Sequence, residues 1–251
     1  MHPILFTIGG FEVRSSAVFL ILGIIVGIVV GRNETRKMGI ARRDFTTFFV
    51  VAIPLAILFG AFNGLVFGVG VVDAFKNLGE TLSTGLVSFG AVIILLAWGY
   101  VQSRINKTPP APAMDLISTI LPLVLGVYRI GCILNGCCYG RITDGPLGVY
   151  LPDLYGTWAN RYPTQLMLMI FDFVLFAILW QWRQRNPKEG YLTIAFLLAF
   201  STGRLLIDGL RDLPPALGMF SLHQLASLSI LLITLYFVFE FRLEKNSSLK
   251  A

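Results

Sequence analysis

Charge is scarce in this sequence, and the scarcity excludes an ordinary soluble domain. Only 14% of the 251 residues are charged and 55% are hydrophobic, with a mean hydropathy of +0.75. Soluble domains carry about 25% charged residues. The N-terminal stretch also lacks a basic segment and a small-residue cleavage site, so we expect no cleavable signal peptide. The composition favours a protein that lies within a membrane.

Cysteine is also scarce: the chain has three, and all of them lie within residues 132–138. Cys137 and Cys138 are adjacent, so no disulfide framework spans the chain. Three thiols without a nearby histidine or a further cysteine also make a poor zinc site. We therefore expect structural thiols, with no metal and no cofactor.

Long apolar runs are abundant instead. Each approaches 20 residues, the length that a helix needs to cross a hydrocarbon core of about 30 Å, and no alternation typical of barrel strands accompanies them. The pattern predicts an all-α integral membrane protein with about seven transmembrane helices, in which residues 1–251 form a single polytopic membrane domain. The predicted spans are 15–31, 45–72, 82–101, 115–135, 164–182, 190–210 and 221–240.

The basic residues predict an orientation rather than a nucleic-acid partner. Although the net charge is +6, thirteen of the twenty basic residues gather in four segments. These are Arg32, Arg36, Lys37, Arg42 and Arg43; Arg104 and Lys107; Arg183, Arg185 and Lys188; and Arg242, Lys245 and Lys250. Because basic residues favour cytoplasmic loops, seven spans place the N-terminus outside and the C-terminus in the cytoplasm.

The other seven basic residues are candidates for function. They are Arg14, Lys76, Arg129, Arg141, Arg161, Arg204 and Arg211. A charge at membrane depth is costly and normally faces a cavity or a partner. Guanidinium groups match phosphate oxygens well, so Arg129 in the fourth span and Arg204 in the sixth predict a shared site for an anionic phospholipid headgroup. The alternative is that Arg129 extends to the membrane surface and Arg204 only forms a helix salt bridge.

Three charges near the end of the sixth span predict one helix face. Arg204, Asp208 and Arg211 are spaced at i, i+4 and i+7, so a carboxylate would bridge two arginines. Asp172, inside the fifth span, is either protonated or paired with a basic group such as Arg129. Beyond Asn135, the amides of residues 136–140 could form a small anion-binding concavity.

The stretch "YRIGCILNGCCYGR" (128–141) resembles a motif of prolipoprotein diacylglyceryl transferases, Arg-(Ile/Leu)-Gly-Asn-Phe-x-Asn-Gly-Glu-x-(Trp/Tyr)-Gly. "HPILFTIGGFEVRSSAV", "RYPTQL", "GRLLIDGLRD" and "SLHQLASL" are similar to other segments of that family, so the resemblance runs the length of the chain. It implies seven spans and a transferase of the bacterial inner membrane. The diacylglyceryl group of phosphatidylglycerol would pass to the lipobox cysteine thiol in the signal peptide of a prolipoprotein.

The resemblance assigns substrate-binding roles to matching positions. Those positions are Arg129, Asn135, Gly136, Gly140, Gln165, Arg204, Asp208 and Arg211, with Asp208 standing where the family has glutamate. The expected partners are phosphatidylglycerol, the prolipoprotein and membrane lipids, with no nucleic acid.

Several positions depart from the family pattern. Phe89 stands where the family has a third-span histidine, and Tyr162 replaces the histidine before Pro-Ser-Gln. Cys132 and Cys137 replace an asparagine and a glutamate. An arginine of the second span appears as Phe62, beside Asn63, and the Tyr-Gly near the first span is Ser16-Ala17.

Three functions remain open because the histidine is missing. The chain is a transferase or a close paralogue, for which the catalytic residue is unknown and His223 is the candidate base. Otherwise it has kept the lipid site and acquired other chemistry, with Cys137 or Cys138 as nucleophile. The third function is a catalytically silent protein that binds anionic phospholipid without transfer.

Overall fold

Helices dominate the part of the chain that the structure describes. The structure is a computed structural model and describes residues 4–8, 11–38, 40–51, 54–55, 86–153 and 156–248. Its helices are α1 (Ser15–Glu34), α2 (residues 42–51), α3 (Leu86–Ile105), α4 (Pro110–Asn135), α5 (Thr164–Arg183), α6 (Tyr191–Asp208) and α7 (Leu222–Ser248).

Five segments of the described chain are long and apolar enough to cross a membrane. They are Ser15–Lys37, Pro110–Asn135, Thr164–Arg183, Tyr191–Asp208 and Leu222–Glu240. They coincide with five of the predicted spans and make this a mostly helical, multi-pass membrane protein. Parts of the predicted spans 45–72 and 82–101 fall within residues 56–85, which lie outside the described residues. Phe62 and Asn63 lie outside them as well. Seven spans therefore remain a prediction.

The helix α4 is the centre of the bundle. It is the most buried of the five candidate spans, and α1, α5 and α6 all pack on it. Small residues let α1 approach closely, since a Cβ added to Gly23 would lie 2.7 Å from the carbonyl oxygen of Val124. Side chains such as Leu116 and Phe196 fill the space between the helices and are completely buried. Residues on α4 are thus held on several sides.

Polar contacts fasten the helices at one end of the bundle. Glu34, at the end of α1, forms a buried ion pair with Arg183, at the end of α5. Asp115, near the start of α4, accepts hydrogen bonds at 2.7 Å from the Gly190 amide and at 2.8 Å from the Thr193 amide. Its carboxylate therefore caps the start of α6. Because these contacts join the basic segments around residues 32–43 and 183–188, those segments share this end.

Three short hairpins correct the all-α prediction. The antiparallel pairs are β1 (Ile4–Ile8) with β2 (Phe11–Arg14), β3 (Val149–Pro152) with β4 (Trp158–Arg161), and β5 (Pro215–Leu217) with β6 (Phe220–Ser221). Each pair directly precedes a helix, namely α1, α5 or α7. Strands of two to five residues are too short to show an alternating pattern in sequence. They all lie at the end of the bundle opposite Asp115.

Candidate active site

Arg129 lies inside the bundle, where α4 meets α5. Its side chain is almost completely buried, and its Nε is 3.9 Å from Oδ2 of Asp172 on α5. Its Nη1 is also 3.9 Å from the sulfur atoms of Cys132 and Cys138. Of the two roles predicted for Asp172, the structure therefore shows the pair with Arg129, and it shows no surface-directed Arg129.

Asp208 joins two further arginines, as the spacing predicted, but by a different geometry. Its Oδ2 is 3.1 Å from Nη2 of Arg204, and its Oδ1 is 3.2 Å from Nη1 of Arg211. The helix α6 ends at Asp208, so the prediction that Arg211 continues the same helix face is wrong. The chain turns after Gly209, and Arg211 reaches back to Asp208 from a bridge that it forms with Gly140.

Backbone contacts bring the ends of α4, α5 and α6 together. Gly136 ends α4 in a left-handed conformation, with φ of 74°, which favours glycine. The following segment is hydrogen-bonded on both sides: the Gly140 amide donates to Tyr162 O at 3.2 Å, and the Arg141 amide donates to Leu210 O at 2.9 Å. The hydroxyl of Thr164 donates to Cys138 O at 2.8 Å. These contacts place the cysteines between the arginines.

The two predicted glycines shape this corner. The Gly136 amide donates to Ile133 O at 3.4 Å, and the Gly140 amide is used by Tyr162, so both are engaged within the protein. A concavity of free amides over residues 136–140 therefore does not include them. A Cβ at Gly140 would lie 2.4 Å from Tyr162 O, so this position needs glycine for close approach.

Gly140→Ala is accordingly expected to destabilise the protein by about 1–3 kcal/mol, because a methyl group would push two hydrogen-bonded segments apart. The apparent midpoint of thermal unfolding in detergent measures this. Gly145→Ala is the matched control, since its Cβ would meet only the Thr143 hydroxyl, at 3.2 Å, and the edge of Tyr162. Equal midpoints for the two variants would contradict the requirement at Gly140.

Several buried polar atoms of the site have no hydrogen-bond partner within the described residues. They include both side-chain polar atoms of Asn135, Nε2 of Gln165 and the Nε atoms of Arg129 and Arg211. Asn135 is 4% exposed and Gln165 is 2% exposed. Buried donors are normally satisfied, and leaving one unpaired costs about 1–3 kcal/mol. The unpaired N–H donors of this cluster therefore fit an anionic ligand that would accept their hydrogen bonds.

The three thiols converge, although their spacing in the sequence argued against a metal site. The sulfur atoms of Cys132, Cys137 and Cys138 all lie within 4.8 Å of one another, and all three residues are buried and unoxidised. Hydrogen bonds from the other two thiols, and then the charges of Arg211 and Arg129, hold the pKa of Cys138 well below its usual range, although burial opposes this. Hydrogen bonds with Cys132 and Cys138, and then burial, raise the pKa of Cys137.

Comparison with known proteins decides the family. The family model described as "Prolipoprotein diacylglyceryl transferase" matches residues 3–240. The chain belongs to this family. A phosphatidylglycerol–prolipoprotein diacylglyceryl transferase of Clostridium tetani is 28% identical over 240 residues, which cover 94% of this chain and 96% of the relative.

Other diacylglyceryl transferases match to a similar degree. The protein of that name in Clostridium novyi is 26% identical over 261 residues, with 100% of both chains covered. Phosphatidylglycerol–prolipoprotein diacylglyceryl transferase 2 of Clostridium perfringens is 33% identical over 161 residues, which cover 63% of this chain and 61% of the relative. The family resemblance seen in the sequence is thereby confirmed.

His223 lies in the first turn of α7 in this family member. A reciprocal pair of hydrogen bonds between Ser221 and Gln224 caps the helix start, with the Ser221 amide donating to Oε1 of Gln224 at 3.0 Å. His223 is 8% exposed, so it is buried rather than solvated, and Arg211, Asp208 and Arg204 are among its charged neighbours. Its role as a base stays a prediction. His2 and the Phe89 side chain lie outside the described residues.

Arg161, one of the seven basic candidates from the sequence, lies beside the site without a specific role having been predicted for it. It is buried, forms ion pairs at 3.0 Å with Asp153 and 3.6 Å with Asp212, and stacks over the ring of Tyr139 at 4.9 Å. It thereby ties the hairpin before α5 to the segments on either side of the site. Its position in "RYPTQL", four residues before Gln165, was the signal available in the sequence.

Proposed function

We propose that this chain is a phosphatidylglycerol–prolipoprotein diacylglyceryl transferase. It would transfer the diacylglyceryl group of phosphatidylglycerol to the lipobox cysteine thiol of a prolipoprotein and release glycerol phosphate. The convergence of Arg129, Arg204 and Arg211 from two separate parts of the bundle carries this proposal. The names of the relatives agree with it.

Arg129, Arg211, Asn135 and Gln165 are the groups that we assign to the phosphodiester. Guanidinium and amide N–H groups suit phosphate oxygens. Each of these four residues has a buried N–H group without a hydrogen-bond partner within the described residues. Arg204 adds positive charge from α6. Negative charge accumulates on the phosphate as the glyceryl carbon–oxygen bond breaks, and donors already aimed at it lower the barrier. Asp208 holds Arg204 and Arg211 in place, while Asp172 does so for Arg129.

Seven spans, with the N-terminus outside and the C-terminus in the cytoplasm of a bacterium, complete the proposal. Glu34, Arg183 and the basic segments share one end of the bundle, and the arginine site lies toward the other. The preference of basic residues for the cytoplasmic side therefore supports a site at the outer leaflet of the inner membrane. Residues 1–251 act as a single membrane domain in this proposal.

Purified protein in phosphatidylglycerol vesicles, mixed with a lipobox peptide, tests the function. We expect a thioether-linked diacylglyceryl peptide and rescue of a bacterium depleted of its own transferase. A peptide with serine in place of the lipobox cysteine is the control and should stay unmodified. Phosphatidylglycerol binding without any product would overturn transferase activity and leave a lipid-binding family member.

Gln165→Glu is expected to weaken phosphatidylglycerol binding by about tenfold or more, because a carboxylate would replace an amide donor facing the phosphate, and like charges repel. Binding to nanodiscs of graded phosphatidylglycerol content measures the effect. Gln184→Glu makes the same change at an exposed residue that directly follows α5, at the opposite end of the helix. This variant should bind phosphatidylglycerol as the wild type does. Equal losses in the two variants would argue against a phosphate at Gln165.

A further inference from the structure

The convergent thiols have the arrangement of a metal-binding site. Cys132 comes from the last turn of α4, while Cys137 and Cys138 come from the segment after its left-handed end. Their sulfur atoms are within 4.8 Å of one another. Zinc thiolate bonds of about 2.3 Å place sulfurs about 3.8 Å apart on a tetrahedron, so these three sulfurs would have to approach one another by no more than about 1 Å to share one ion.

The arginines beside Cys132 and Cys138 suit thiolates, which are the form that binds metal. Nη1 of Arg129 lies 3.9 Å from two of the sulfurs, and the charge of Arg211 also acts on Cys138. Among the five charged groups Arg129, Arg204, Arg211, Asp172 and Asp208, positive charges exceed negative charges by one. Three thiolates on a divalent ion carry a net charge of −1, so the two charges would cancel in the membrane interior.

We propose that Cys132, Cys137 and Cys138 bind a zinc ion and that its fourth position takes the acceptor cysteine of the prolipoprotein. The second half of this statement rests on the proposed transferase function. Thiolate ligands select zinc among the common divalent ions, and zinc sites with three protein ligands keep one position for water or substrate. The expectation that the cysteine spacing disfavours a metal site is revised by this proposal.

A metal-bound acceptor would need no side-chain base. A thiol that coordinates zinc loses its proton, here to the surrounding water. The thiolate sulfur then forms a bond to the glyceryl carbon of phosphatidylglycerol. The carbon–oxygen bond to the phosphate breaks, and its electron pair stays on the departing glycerol phosphate. This step suits a chain with only two histidines, His2 and His223.

Arg129 places the two halves of this chemistry side by side. Its Nη1 is next to the thiols, while its Nε faces Asp172 at 3.9 Å and makes no hydrogen bond within the described residues, so it can donate one to a phosphate. A phosphodiester held there has its glyceryl carbon one oxygen away from the phosphorus. The attacking sulfur and the leaving oxygen would therefore meet next to one guanidinium.

Metal analysis of the full-length protein in nanodiscs tests the first half. We expect about one zinc ion per chain, reduced at least fivefold in Cys132→Ser/Cys137→Ser/Cys138→Ser. Cys132→Asn/Cys137→Glu, which installs the residue types of the family motif, serves as a second zinc-free variant in case the triple variant does not fold. Asn135→Ala is the control, since it should lose transfer and keep zinc. Wild-type protein with no more zinc than a folded variant would overturn the site.

Cobalt replacing zinc tests the second half without requiring transfer. Cobalt bound by thiolates absorbs in the near ultraviolet, and a fourth thiolate should strengthen that absorption when lipobox peptide is added in phosphatidylglycerol-free nanodiscs. A serine-containing peptide should cause no change. No response to the cysteine peptide would overturn acceptor binding at the metal. A normal response without product on adding phosphatidylglycerol would instead count against the transferase function alone.

Discussion

Arg129→Ala is expected to lower the rate of diacylglyceryl transfer by about two to three orders of magnitude. The side chain is buried between Asp172 and the thiols, and its removal would take a guanidinium group away from the departing phosphate. Initial rates with lipobox peptide in phosphatidylglycerol vesicles measure the loss. Arg129→Lys is expected to recover only part of the activity, because an ammonium group lacks the planar fork of guanidinium.

Matched variants separate this catalytic loss from a loss of folding. Arg183→Ala breaks another buried ion pair, with Glu34, at the far end of the bundle, so it should lower thermal stability and leave transfer nearly unchanged. Arg129→Ala/Asp172→Asn removes both members of the pair and should regain stability without regaining transfer, since breaking a buried pair costs about 3–5 kcal/mol mainly through the charge left behind. Wild-type rates in Arg129→Ala would show that the phosphate binds elsewhere.

Asp208→Asn is expected to lower transfer by about a hundredfold and to weaken phosphatidylglycerol binding as well. Asp208 is the carboxylate that holds Arg204 at 3.1 Å and Arg211 at 3.2 Å, and without its charge the two guanidinium groups repel each other. It acts through the arginines rather than on the substrate. The effect should therefore appear in KM as well as in kcat.

Two variants on α6 provide the comparison for Asp208. Asp208→Glu preserves the charge and introduces the residue that the family motif carries, so it should keep most of the activity. Thr193→Val removes a hydrogen-bond donor to the buried carboxylate of Asp115 at the other end of α6, so it should affect stability more than transfer. A Glu variant as impaired as the Asn variant would mean that side-chain length, and not charge, is what Arg204 and Arg211 require.

The sequence predicted the parts of this site that follow from local chemistry. Arginines within apolar runs are visible without a structure, because the cost of burying a charge singles them out. Arg129 and Arg204 were singled out in this way, and the i, i+4 spacing indicated the bridge from Asp208 to Arg204. Five of the seven predicted spans were confirmed because their length and apolar character depend only on neighbouring residues.

The remainder depended on contacts between distant residues. The left-handed turn at Gly136 and the close passage of Gly140 beside Tyr162 decide where the chain goes after α4, and neither contact has a local signature. The turn after Gly209, which places Arg211 outside the helix, likewise has no local signature in the sequence. Spacing alone therefore could not show that the three thiols meet beside two arginines.

Backbone hydrogen bonds hold together the segments that surround the site. Residues 140–142, 160–162 and 209–212 are joined by amide-to-carbonyl hydrogen bonds, including those from Arg141 to Leu210 and from Tyr162 to Arg141. Apart from position 140, where only glycine allows the close approach to Tyr162, such bonds do not use side-chain atoms of the segments. Functional groups mounted on this frame can therefore be exchanged one at a time during evolution while their positions persist. Cysteines in place of an amide and a carboxylate therefore leave these backbone hydrogen bonds intact, and the proposed zinc chemistry would use the same frame.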